Sequence, residues 1–280
     1  MSSEAEKSKV PEMSFWEHID AFRSILIRMV LVVLGLMVLF FTYMKDIFDS
    51  IILAPCKGDF ILYRLFNKIT QYLSFVPEFS TDNFSVELIN IQLASQFFIH
   101  MSTSFWLALV FAFPILLYLI WGFVKPALYQ NEIKGIRTAL TLGNVMFYVG
   151  IACGYFVIFP VTLRFLADYQ VSVLVPNQIS LDSYMDNFLA MIFIMGITFE
   201  MPLLAWTLSA VGILKRSFFR KFRRYAIVIL LITAAIITPT GDPFTLMLVF
   251  CPLYLLYELS ALLVKKDKPE DEDLTDNPKS

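Results

Sequence analysis

Two carboxylates stand where carboxylates are expensive. Glu200, in GITFEMPLL, falls near the middle of a long apolar run, where an ionised carboxylate costs on the order of 2.5–3.5 kcal/mol by insertion scales. Such a group faces a cavity or a polar partner. It could hold water, pair with a polar group on an incoming helix, or complete an ordinary interhelical hydrogen bond. Pro202, two residues on, removes a backbone donor and predicts a kink there. Glu132 lies in a polar stretch, WGFVKPALYQNEIKG, just after Pro126 and beside Lys134. At a membrane surface a carboxylate can take a guanidinium through two parallel hydrogen bonds, which the point charge of lysine cannot copy. The raw attraction is roughly 4 kcal/mol at about 4 Å, and exposure lowers it. An ordinary solvated glutamate is the competing reading.

Bond-making chemistry finds no support in the sequence. GxxxxGK[ST] is absent, so no glycine cradle holds ATP, and HExxH is absent from a chain with only two histidines, His18 and His100. A serine intramembrane protease needs a GxS turn and a histidine deep in a later span, and neither occurs. Cys56, Cys153 and Cys251 are odd in number and unpaired in spacing, so they read as packing residues. No enzyme activity, cofactor, metal or nucleic-acid partner is expected.

The elements that must position these groups are membrane helices. Hydrophobic residues make up 58% of 280 residues and charged residues 16%, a balance that one globular core cannot hide. About twenty apolar residues cross a bilayer once. That rule places six spans near Ile25–Met44, Phe97–Val124, Leu142–Leu166, Phe188–Ile213, Tyr225–Thr238 and Phe244–Val264. The fold class is therefore all-α, a polytopic membrane bundle. The densest basic cluster, Lys215, Arg216, Arg220, Lys221, Arg223 and Arg224, lies between the fourth and fifth spans and is cytoplasmic by the positive-inside rule. Alternation then puts Lys125, Lys134 and Arg137 inside, with Lys7, Lys9 and Arg23. Both termini face the cytoplasm of a multi-pass protein in the cell (inner) membrane.

Residues 1–24 form a cytoplasmic amphipathic segment, with Phe15, Ile19, Phe22 and Leu26 at helical spacing and Glu17, His18, Asp20 and Arg23 on the polar face. It is expected to lie along the inner membrane surface ahead of the six-helix domain, 25–264. No small-residue cleavage signal follows the first apolar run, which reads as a retained span. The outer segment 45–96 is too long for a bare turn and should fold locally as a cap. The tail 265–280 is Lys, Asp, Glu and Pro, the composition of a disordered end. The fifth span reaches only roughly 20 Å against a hydrocarbon thickness near 30 Å, so the bilayer thins there or the helix sits among neighbours. Asp242, at the tip of ITPTGDPFT, is explained by turn chemistry.

Taken together, HIDAFRSIL before the first span, FPILLYLIWGFVKPALYQNE across the second, FYVGIACGYFVIFPVTLRFL in the third, GITFEMP in the fourth and TPTGDPFTLMLVFCPLYLLYE in the last hairpin resemble the TatC family. That family is the multispanning receptor subunit of the twin-arginine protein translocase, and the resemblance runs from about Phe15 to Leu263. It implies recognition of folded cargo through signal peptides with two consecutive arginines, at a surface that maps onto Arg23, Leu128, Tyr129 and Glu132, with Phe123 alongside. Pro55, Pro114, Pro126, Pro160, Pro202, Glu200 and Asp242 also sit in the family's motifs. It implies single-span partners of the TatA and TatB type, further copies of the chain in one complex, and transport driven by the proton gradient. One departure stands out, because the family pattern HLxELRxRL has here Ala21 for its acidic residue and Ile25 for its second arginine. Glu132 is then expected to carry most of the arginine pairing, with Asp20 or Glu17 assisting. The rival from another class, a secondary transporter of a small solute, expects an inverted repeat with broken helices at the midplane, and no matching pair of interrupted segments is present.

Overall fold

A computed structural model describes residues 15–70, 84–124, 130–172, 174, 177–210, 212, 214–238 and 242–264. Within the helices, the side chains of Phe15, His18 and residues 130–139 are among those outside the description.

The described residues fold as a mostly helical bundle. α1 (Phe15–Ile47) is a single helix of 33 residues, about 50 Å long. The sequence reading separates a surface helix from the first span near residue 24; the structure joins them. The physical reason is that no proline interrupts this stretch and its one glycine, Gly35, lies far from the expected break. α1 ends in a π-helical turn, Phe48–Ile52, and a short 3-10 turn, Ala54–Cys56, that contains Pro55. α3 (Ser95–Val124) runs back beside it. The antiparallel pairing is visible in ring contacts at both ends: Phe22 with Phe123 at 5.7 Å, Phe40 with Phe111 at 5.0 Å, and Phe41 stacked on His100 at 4.0 Å.

The third span is built from α4 (Gln130–Cys153), a π-helical segment Gly154–Ile158, and α5 (Phe159–Asp168). The fourth is built from α6 (Leu181–Thr198) and α7 (Met201–Ala210). α8 (Arg216–Ile237) and α9 (Pro243–Leu263) close the bundle. Five of these segments are long and apolar enough to cross a membrane: Ile19–Cys56, Ser95–Phe123, Leu140–Asp168, Leu181–Ser209 and Pro243–Leu263. α8 is the sixth apolar helix and differs from the rest. Its first turns carry Arg216, Arg220, Lys221, Arg223 and Arg224, so its apolar part starts at Tyr225, as the sequence reading places it.

α4 and α6 approach closely because glycines face the contact. A Cβ on Gly150 would come within 2.6 Å of the Met195 carbonyl oxygen, and one on Gly154 within 2.9 Å of the Ile192 Cα. Small residues at such spacing let helix backbones meet in lipid, where dispersion rather than water drives association. Around this seam Phe147, Phe159, Met185, Met191, Met195 and Leu253 are almost wholly buried. The outward faces of α1 and α8 expose Val30, Leu34, Val38, Ile229, Ile232 and Ile236, the pattern of a surface solvated by lipid.

The described residues of the long segment after α1 pack against the end of the bundle where α1 finishes and are called the cap below. They include α2 (Ile61–Thr70) and a two-residue strand β1 (Leu88–Ile89), which pairs in parallel with β2 (Ile179–Ser180) from the loop before α6. The strand pair is not legible in the sequence reading. Arg164 is buried under the cap, 4.1 Å from the Phe84 ring centroid and 2.9 Å from the Asp168 carboxylate.

Candidate functional site

Most of the predicted charged residues fall in two places along the bundle. The first is the end where α1 begins, α3 finishes and α4 starts. Glu17, Asp20 and Arg23 lie on the opening turns of α1 and are exposed. Acidic side chains are favoured there by the positive end of the helix dipole. The Phe22–Phe123 contact sets these turns beside the end of α3, and Glu132 belongs to the opening turn of α4. Of Glu132 only the helical backbone position is described, and Leu128, Tyr129 and Pro126 lie outside the described residues. The Arg23 guanidinium is 3.4 Å from the Asp20 carboxylate, with the two side chains 74% and 70% exposed. Asp20 is therefore already engaged by a cation on its own helix, and a guanidinium arriving from outside must compete with Arg23 for it.

The second place is the break in the fourth span. Phe199 and Glu200 form a turn between α6 and α7, because Pro202 has no N–H to donate to the Thr198 carbonyl four residues back. The kink expected from the sequence is thus a full interruption. The Glu200 carboxylate lies against the bare Cα of Gly143 on α4: a Cβ at 143 would sit 2.9 Å from Oε2 and 2.6 Å from the Leu203 Cδ2. Glu200 is half-buried, and its Oε1 is buried without a hydrogen bond to any described residue. A buried acceptor left unsatisfied costs about 1–3 kcal/mol, so this oxygen is a standing demand for a donor.

Asp242 does not join Glu200. It is the N-cap of α9, its Oδ1 accepting the Thr245 N–H at 2.7 Å, and it sits at the cap end, where Phe244 stacks on Phe165 of α5 at 4.1 Å. The structure gives it a capping role, in line with the turn chemistry that the sequence reading assigns to it.

Two of the motif prolines, Pro114 and Pro55, leave a carbonyl of the preceding turn without a backbone N–H, and in lipid that carbonyl needs another donor. Pro114, half-buried in α3, releases Val110, whose oxygen accepts from the Tyr148 hydroxyl of α4 at 3.2 Å. Pro55 releases Ile51, whose oxygen accepts from Tyr155 at 2.8 Å, while the neighbouring Ile52 oxygen accepts from Tyr184 at 2.5 Å. Pro160 is buried at the start of α5, just after the second π segment. Its own carbonyl and that of Pro55 both lie 3.1 Å from the Tyr63 hydroxyl, which fastens the cap to the bundle. Burial raises the Tyr63 pKa, so the hydroxyl stays a donor. Sequence reasoning missed these tyrosines and the glycines at 143, 150 and 154. The glycine spacing, seven then four on one helix face, is the signal that could have found the second set.

The geometry thus comprises a charged end built from three helices and a half-buried carboxylate at a helix break. A family model described as TatC, Sec-independent protein translocase protein, matches residues 17–252. The Sec-independent protein translocase protein TatC of Blattabacterium sp. subsp. Periplaneta americana is 34% identical over 255 residues, covering 91% of this chain and 96% of that protein. The protein of that name from Helicobacter pylori strain 26695 is 35% identical over 200 residues, 71% of this chain and 78% of that one. A solved structure described as the twin arginine translocase receptor TatC in DDM superposes with a TM-score of 0.70 at 30% identity, over 89% of this chain and 100% of that one. By this breadth of similarity the chain belongs to the TatC family, a family of membrane protein translocase components and not of enzymes.

Proposed function

We propose that this protein is the receptor for twin-arginine signal peptides in a translocase that exports folded proteins, with both termini and the receptor end on the cytoplasmic side. The observation that carries the reading is the convergence of the acidic opening turns of α1, the end of α3 and the start of α4 at one end of the bundle. The family match spans all three.

Glu132 takes one arginine of the signal through paired hydrogen bonds, and Glu17 and Asp20 contribute negative charge. Arg23 orders Asp20 and yields it on binding. Leu128, Tyr129 and Phe123 supply apolar contact. Single-span partners of the TatA and TatB type, and further copies of this chain, assemble on the membrane-embedded faces. Partner helices assemble around Glu200, whose open acceptor meets a polar group of theirs, and around the short apolar part of α8. With no nucleotide cradle in the sequence, the proton gradient supplies the work.

The test is export of a folded reporter in cells that depend on this chain. An Arg-Arg signal should be exported and a Lys-Lys signal retained, because lysine cannot make the bidentate pair. Glu132→Ala should abolish export of the Arg-Arg reporter, and a protonophore should stop it in wild type. Wild-type export by the Glu132 variant would remove that residue's role; indifference to Lys-Lys would remove the receptor reading.

A further inference from the structure

Arg28 is a cation within the first span for which the proposed recognition surface has no use. It is exposed, and among the described residues it forms no ion pair. It borders a cleft of about 840 Å3 between α1, α3 and α4, whose walls include Pro114, Tyr118, Trp121, Gly122 and Asn144. Asn144 donates to the Leu140 carbonyl at 3.0 Å, and its Oδ1 has no hydrogen bond to a described residue. A cation, an amide and two amphipathic rings thus share one recess in the wall of an otherwise apolar bundle.

The depth of the recess is fixed by helix geometry. From Arg28 to Ile47 is 47 − 28 = 19 residues of α1, about 28 Å at 1.5 Å per residue, close to one hydrocarbon thickness. With the cap end of α1 at one boundary, Arg28 stands at the other, the level of the phosphodiester groups. Trp121 and Tyr118, near the end of α3, lie at the depth where such rings are enriched.

We infer that this cleft binds the headgroup of an anionic phospholipid, with the phosphodiester on the Arg28 guanidinium and the headgroup against Tyr118, Trp121 and Asn144. Charge selects the ligand: the recess offers a cation and no described carboxylate, so it repels the arginines of a signal peptide and attracts phosphate. The volume of the cleft falls within the roughly 300–1,000 Å3 typical of small-molecule sites. Basic pockets between spans on the cytoplasmic side suit anionic headgroups.

The experiment is native mass spectrometry of the full-length protein in detergent, incubated with equal amounts of phosphatidylglycerol and phosphatidylcholine of the same acyl chains. Wild type should retain phosphatidylglycerol about fivefold over phosphatidylcholine. Arg28→Gln should bring the ratio near one, and Arg28→Lys should keep part of the preference. Gly122 has open space beside it, so Gly122→Leu fills the cleft without touching a charge and should also lower retention at unchanged helical content. Equal retention of the two lipids by wild type, or an undiminished preference in Gly122→Leu, would overturn the assignment. Arg28-dependent capture of a single-span peptide bearing a glutamate, with no preference between lipids, would overturn it in favour of a helix carboxylate.

Discussion

The carboxylate of Glu200 rests on the backbone of Gly143: a Cβ built at 143 would lie 2.9 Å from Oε2. Glu200 occupies the turn between α6 and α7, and Gly143 is the residue of α4 that makes room for it. The relationship explains how a carboxyl side chain is housed at a helix break without parting the bundle.

Gly143→Ala should therefore displace Glu200 or push α4 away from α7. Overpacking of this kind costs about 1–3 kcal/mol, readable as a lower unfolding midpoint in detergent. Glu200→Ala in the same chain should recover part of the loss, because the oxygen that clashes is gone. The Leu203 contact at 2.6 Å keeps the recovery incomplete. A double variant no more stable than Gly143→Ala alone would show that Glu200 is not what the glycine accommodates.

The exposed Arg23–Asp20 pair predicts a separation of stability from function. Surface ion pairs contribute about 0–1 kcal/mol, so Arg23→Ala should leave the unfolding midpoint nearly unchanged. Releasing Asp20 should instead alter export of an Arg-Arg reporter. If Arg23→Ala changes stability and export in proportion, the pair is structural and its place in recognition falls.

Much of the fold was legible because lipid demands continuous apolar runs, and the runs from Phe97 and Phe244 become α3 and α9 with little adjustment. The break at Glu200 was foreshadowed by Pro202. What was not legible came from contacts distant in sequence. Nothing in the turn Phe48–Ile52 announces that Tyr155 will donate to Ile51, because the partner lies 104 residues away. The β1–β2 pair joins Leu88 to Ile179 through two-residue strands, too short for any alternation to register. At the end where α1 begins the residue types were readable, but the pairing of Asp20 with Arg23 depends on which rotamers meet across one turn of α1. Helical periodicity brings both side chains to one face and leaves open whether Asp20 faces a ligand or its neighbour.

Asp242 is predicted to act through its cap. Asp242→Ala should cost roughly 0.5–2 kcal/mol, the usual range for losing an N-cap side chain. Asp242→Asn keeps an acceptor for the Thr245 N–H and should cost less. A residue needed for its charge would show the reverse order, with Asn as damaging as Ala in an export assay. Stability and export measured together on the two variants separate the cap from an electrostatic role.

The proline rule makes the sharpest forecast, because it predicts that one defect cancels another. Tyr148 on α4 donates to the Val110 carbonyl at 3.2 Å, and that carbonyl is available because Pro114 has no N–H to give it. Tyr148→Phe should cost roughly 1 kcal/mol in SDS-driven unfolding, the net worth of one such bond in a membrane interior. Pro114→Ala supplies an N–H that α3 can direct to Val110 through its own helical ladder. In that background Tyr148→Phe should cost less than half as much, since the oxygen it abandons already has a donor. The double-mutant cycle isolates the coupling from whatever each substitution does alone. Equal costs of Tyr148→Phe in the two backgrounds would mean that the hydroxyl serves packing or some other partner, and the same doubt would then extend to Tyr155 and the carbonyl released by Pro55.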